Sequence, residues 1–147
     1  MKTTLQLKVL LIILFFSFAN IHAQMDMMNA IPVDKVTHKA KKSGSWFASD
    51  TWDTNSVPTT GAVVYIPENI TVNYEGASDA HIFAIRVDGS FNCKQTNTNE
   101  TTKLVFDTFF AMSNSYVKFI ANNSSDGKIE IEIKPFDLET YRNGTNN

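Results

Sequence analysis

From Ala62 onward the chain consists of short runs rich in Val, Ile, Phe, Tyr and Thr, each closed by a turn residue before a helix could develop. The runs fall at 62–66, 70–74, 82–87, 90–93, 103–106, 108–112, 116–121 and 128–134, mostly at the spacing of about 8–12 residues expected of all-β domains. No long helical period separates them, so a fold that alternates strands with helices is not supported. Only the stretch 77–81, Ala-Ser-Asp-Ala-His, suits a helical turn. The cleanest alternation is Lys128-Ile129-Glu130-Ile131-Glu132-Ile133-Lys134, which predicts a buried isoleucine face and a wet row of mixed charge that discourages edge pairing.

The punctuation narrows the architecture without fixing strand direction. Pro58 and Pro67 lack an N–H for a sheet ladder, so they bracket the run 62–66. Asp88-Gly89 and Asp126-Gly127 are tight corners that serve either as two-residue antiparallel hairpins or as bends between successive strands of a parallel coil. The expected fold is therefore all-β, a right-handed β-helix or β-roll of short strands with one short helix. An antiparallel β-sandwich is the alternative. The Asn/Thr-rich segment 95–102 reads as a polar loop.

The N-terminus carries an export address. Lys2 and Lys8 precede an unbroken apolar run at 9–16, and a polar segment containing Ala23 follows. The run is shorter than the ~20 residues of a permanent span, so residues 1–23 read as a signal peptide cut after Ala23, with no stable membrane span afterwards. Secretion or display on the cell surface follows. Loss of 23 residues, two of them lysine, from the 147 leaves 124 with a formal charge of −4. Cys93 is the only cysteine, so an internal disulfide is excluded, and it reads as a small buried hydrophobe. With a sequence pI near 5.9 and no basic block longer than Lys41-Lys42, nucleic acid is not an expected partner. Residues 24–43, Met-rich and then Lys-rich, read as a leader to the domain at 44–136. The polar tail at 137–147 reads as leading into further C-terminal sequence, because a coil of strands leaves an apolar end unless something covers it.

A family resemblance enters through one block. Gly44-Ser45-Trp46, then Thr51-Trp52-Asp53-Thr54-Asn55-Ser56-Val57-Pro58 and Gly61-Ala62-Val63-Val64-Tyr65-Ile66-Pro67, resembles the opening of the eight-glycine (G-eight) domain. Ile70-Thr71-Val72 and Ile85-Arg86-Val87-Asp88-Gly89-Ser90-Phe91 continue it in order, out to about Pro135. Several family glycines are replaced, with Asn69 after the Ile-Pro pair and Ser113-Asn114 in the later glycine region. The resemblance implies an extracellular all-β module with a short helix, found in secreted and cell-surface hyaluronan-degrading proteins and in fibrocystin. It implies ligand binding or processing outside the cell and supplies no catalytic motif to carry over.

Candidate sites are few. Trp46 and Trp52 beside Asp50 and Asp53 have the makings of a sugar site, in which an indole face stacks on a ring while carboxylates accept hydroxyl hydrogens. The competing reading is that both indoles close the end of the core while Asp53 ties off a turn. Glu130 and Glu132 have a spacing compatible with glycoside hydrolysis, but Lys128 and Lys134 would keep both ionised where one must be a proton donor. No nucleophile elbow, phosphate loop or complete calcium loop is present, and His22, His38 and His81 form no close pair in sequence, so no catalytic residue, metal or cofactor is expected. The expected partner is an extracellular polysaccharide or a surface protein, with C-terminal domains of a longer protein a further one. The function expected is non-catalytic binding or scaffolding. Its rivals are the N-terminal part of a hyaluronidase-like enzyme and a purely structural surface module.

Overall fold

The computed structural model describes residues 31–95, 100–122 and 127–135. The signal-peptide reading, the centre of the polar loop, Asp126 and the polar tail lie outside the described residues. Nine strands are formed: β1 (His38–Lys39), β2 (Gly44–Ser45), β3 (Val63–Ile66), β4 (Thr71–Tyr74), β5 (Ala77–Val87), β6 (Ser90–Lys94), β7 (Thr102–Ala111), β8 (Tyr116–Ile120) and β9 (Ile129–Ile133). The odd-numbered strands make a five-stranded sheet in the order β1-β3-β5-β7-β9, and the even-numbered ones a four-stranded sheet, β2-β4-β6-β8.

Every strand pair is parallel. Neighbours in sequence never pair; the chain passes from one sheet to the other and returns one strand further along, which is the path of a parallel β-solenoid. The hairpin reading of Asp88-Gly89, and with it the antiparallel sandwich, is thereby overturned. That dipeptide links β5 in one sheet to β6 in the other.

Parallel stacking in register builds the core as columns. In one sheet Val64 lies beside Ile85 and then Phe109, and Ile66 beside Val87 and then Ala111. In the other, Val72 lies beside Phe91 and Val117, and Tyr74 beside Cys93 and Phe119. Val64, Ile66, Ile85, Val87, Val72, Phe91 and Cys93 are fully buried, as expected where each apolar side chain has a turn above and below it. Cys93 packs as the small hydrophobe expected of it. The columns open toward the last strands. Phe119 is 50% exposed, Ile131 37% and Ile133 69%, because no further described strand packs over β8 and β9. The isoleucine face of β9 is thus less buried than its alternation predicts.

Three local readings are revised. Residues 77–81 are strand, held by pairing of Ala77 with Lys103 and His81 with Val105, and the helical turns are 3₁₀ segments at Val33–Lys35 and Ser49–Thr51. The runs 103–106 and 108–112 merge into the single strand β7. The leader contributes to the solenoid as well, since β1 pairs with β3 and Ala40 is fully buried. Within β5 the Ala62 carbonyl accepts from both Phe83 N (3.0 Å) and Ala84 N (3.3 Å), two donors facing one acceptor. The inward positions shift phase there, from Ile82 to Ile85 and Val87.

Candidate functional site

The structure brings Trp46 and Trp52 together, in the core. They are 1% and 0% exposed, and their rings meet edge-on with centroids 5.1 Å apart. Trp46 also packs against Tyr74 (5.3 Å) and Phe91 (6.1 Å), extending the column above β4. The Trp52 indole N–H donates to the Trp46 carbonyl at 2.8 Å, satisfying the one polar group the ring carries inside. Neither indole offers a free face to a sugar. The pair closes the first turn of the solenoid.

The neighbouring carboxylates divide. Asp53 ties the turn: its Oδ1 accepts from Lys39 N at 3.0 Å and its own N–H donates to the Lys39 carbonyl at 2.9 Å, next to the antiparallel bridge between Ala40 and Trp52. Asp50 is exposed and held by Lys42 Nζ at 2.5 Å, an ion pair that lowers its pKa. The four sequence-predicted residues therefore form a structural corner, with Asp50 at its rim.

The two glutamates with glycosidase-like spacing are both ion-paired. Lys134 donates to Glu132 at 2.9 Å and lowers its pKa, while Lys128 donates to Glu130 at 3.0 Å. The nearest approach to a hydrolytic pair is Ser56 Oγ at 3.3 Å from His38 Nε2. Ser56 donates its hydroxyl to Thr54 Oγ1 at 2.9 Å, and His38 Nδ1 meets the Thr37 hydroxyl at 3.0 Å where a triad would place a carboxylate. Burial lowers the His38 pKa, against a smaller opposing pull from Asp53. Among the described residues no cluster of three or more His, Cys, Asp or Glu is placed to hold a metal.

A different surface gathers polar groups from three successive turns. Glu68 and Asn69 lie between β3 and β4, Asp88 and Gly89 between β5 and β6, Ser90 at the start of β6, and Asn114 between β7 and β8; together they line a groove of about 300 Å³. Its floor is a ladder of backbone bonds. The Ile66 carbonyl accepts from Asp88 N (2.9 Å) and Gly89 N (3.1 Å), Ser90 N donates to Ile70 O (2.9 Å), and Tyr116 N to Gly89 O (2.9 Å). A Cβ on Gly89 would lie 2.2 Å from the Pro67 carbonyl oxygen and 2.5 Å from that of Ile70, so only glycine lets the corners stack this closely. Asn69 has φ of +63°, a left-handed position that asparagine tolerates well.

One wall of the groove is fixed by an ion pair. Arg86 grips Asp88 through Nε to Oδ1 (2.9 Å) and Nη2 to Oδ2 (3.0 Å), and the Tyr65 hydroxyl donates to Oδ2 (3.0 Å). The pair is largely buried, with side chains 8% and 12% exposed, and Asp88 raises the Arg86 pKa. By contrast, no hydrogen bond engages the side chains of Glu68, Asn69, Ser90 and Asn114 among the described residues. The sequence marked Asn69 and Asn114 only as departures from a glycine pattern and Asp88-Gly89 only as a corner. What joins them is the register between turns, which no local motif encodes.

Comparison with family models, with curated proteins and with solved structures returns no match. The resemblance of residues 44–135 therefore rests on the sequence alone. No helix among the described residues is long and apolar enough to cross a membrane.

Proposed function

We propose that this chain is an exported, non-catalytic β-solenoid module that binds or scaffolds extracellular polysaccharide. The observation that carries the reading is the corner groove, where polar side chains from three successive turns line one depression over a hydrogen-bonded backbone floor. Stacked turns repeat about every 4.8 Å along the solenoid, so such a groove offers hydrogen bonds in series to a chain-like ligand. A fixed floor also limits the ordering cost of binding. Export is supported by the layout of residues 1–23, with lysines, a short apolar run and Ala23.

The enzymatic alternative draws less support, since Glu130 and Glu132 are each paired with lysine. A panel of defined polysaccharides, followed by calorimetry for binding and by gel filtration for chain length, separates the readings. Saturable binding without shortening is the expected result. Shortened product would establish catalysis, and silence in both assays would leave the purely structural module.

A further inference from the structure

We infer that the corner groove is a subsite for uncharged, hydroxyl-rich polysaccharide and that it disfavours acidic polymers such as hyaluronan. The inference rests on the proposed polysaccharide function and adds to it a location and a ligand chemistry. Its lining contains Glu68, Asn69, Asp88, Gly89, Ser90 and Asn114, with no lysine, arginine or histidine among them. The Asp88 carboxylate is matched by Arg86, whose guanidinium lies largely inside the protein, whereas no ion pair of the described residues matches Glu68. Among the described residues Glu68 is therefore the one lining charge without an ion-pair partner, and a polyanion entering the groove meets like charge there.

The unengaged side chains fit hydroxyl groups in both directions. Asn69 and Asn114 each present an amide oxygen and two N–H donors, Ser90 a hydroxyl that donates and accepts, and Glu68 acceptor oxygens only. A sugar hydroxyl also donates and accepts, so adjacent hydroxyls of one ring can be matched without leaving a buried group unpaired. No aromatic side chain lines the groove, which removes the stacking contribution typical of tight sugar sites. Affinity for a short neutral oligosaccharide should then be modest, with Kd of about 1 mM, and longer chains should gain by contacting successive turns.

The test is titration of the purified ¹⁵N-labelled chain, in EDTA and low salt, with a neutral glucan hexasaccharide and separately with a hyaluronan hexasaccharide, read by amide chemical shifts. The panel includes long neutral glucan, mannan and xylan so that the choice of neutral sugar does not decide the outcome. The expected result is saturable movement of the Asn69, Gly89 and Asn114 amides with a neutral glycan, at least about tenfold weaker binding of hyaluronan, and losses of about three- to tenfold in Glu68→Ala and Asn114→Ala. Both substitutions are at exposed positions, and unchanged thermal unfolding verifies that they report on binding. Glu68→Gln should narrow the discrimination against hyaluronan. Equal or tighter binding of hyaluronan, or neutral-glycan binding untouched by both alanine variants, would overturn the inference while leaving the polysaccharide function standing. Shifts that appear only when calcium replaces EDTA, with no glycan, would make the groove a cation site and overturn it. Absence of binding across the whole panel would overturn both readings.

Discussion

The indole N–H of Trp52 donates to the backbone carbonyl of Trp46 across 2.8 Å, inside a pair of rings that meet edge-on with centroids 5.1 Å apart. This bond makes the two tryptophans one structural unit, apart from the corner groove. Trp52→Phe removes the donor and leaves the Trp46 carbonyl without it, at an expected loss of about 1–3 kcal/mol. Trp52→Ala also opens a cavity, with an expected loss of about 3–5 kcal/mol. Urea unfolding measures both. Full stability in Trp52→Ala combined with loss of glycan binding would place the indole at the ligand and not in the core.

The stacked corners predict losses of different size at residues that look alike in sequence. Gly89→Ala drives a Cβ into the Pro67 and Ile70 carbonyl oxygens, which are backbone and cannot swing away, so destabilisation of about 1–3 kcal/mol or more is expected. Gly61 has φ of +83° but no atom within 4 Å of the added Cβ, so Gly61→Ala should cost only the conformational strain, about 1 kcal/mol. Asn69→Gly should stay within about 1 kcal/mol of the parent, because relief at φ +63° opposes the greater freedom of the unfolded chain. Thermal unfolding of the three variants ranks them, and a Gly61→Ala loss larger than that of Gly89→Ala would contradict the close-approach argument.

Stability should fall at both ends of the pH range, for different reasons. Burial pushes the Cys93 thiol up from 9.0 to about 11, so the unfolded chain loses its proton first. Its contribution is fully present below about pH 9 and is lost as pH rises toward 11. Tyr74, also raised mainly by burial, extends the same trend to higher pH. His38 works in the other direction: its folded pKa lies below 6.5, so stability is present above that value and declines as pH falls through the region where the unfolded imidazole takes up a proton. Unfolding curves of the parent, Cys93→Ala and His38→Gln across pH 5–11 should show the alkaline limb flattened by the first variant and the acid limb by the second. Slow thiol labelling of the folded chain at pH 8, accelerated by urea, gives an independent check on Cys93.

Much of this fold is legible locally and some of it is not. The runs around Val63, Val72, Phe91, Val117 and Ile131 announce strands because their apolar residues alternate or cluster between turn residues. Direction is hidden, since Asp88-Gly89 satisfies a hairpin and a solenoid corner equally. The deciding fact is that Ile85 sits beside both Val64 and Phe109, a relation between residues more than 20 apart in sequence. The first turn is hidden for another reason. His38–Lys39 and Gly44–Ser45 are two-residue strands with little apolar content, stabilised by pairing with β3 and β4 and not by their own propensity. Ala-Ser-Asp-Ala-His at 77–81 has helical character overridden by its pairing with β7. The candidate site moved likewise. Trp46 and Trp52 are conspicuous in sequence and buried in structure, while Asn69, Ser90 and Asn114 become neighbours only when the turns are stacked.

The Arg86–Asp88 pair gives the sharpest separation between what holds the corner and what the proposed binding would use. Asp88→Asn keeps the shape but removes the charge facing a guanidinium that is largely buried, and an uncompensated buried charge is expected to cost about 3–5 kcal/mol. Arg86→Met strands the carboxylate and should be costly for the same reason, although Tyr65 still donates to Asp88. The double variant Arg86→Met/Asp88→Asn removes both charges together, so its loss should be well below the sum of the singles, with a coupling of about 1–3 kcal/mol from denaturant unfolding. Additive losses would mean that the two side chains act independently. A restored double variant that also retains glycan binding would assign the ion pair to the scaffold and leave recognition to Glu68, Asn69, Ser90 and Asn114.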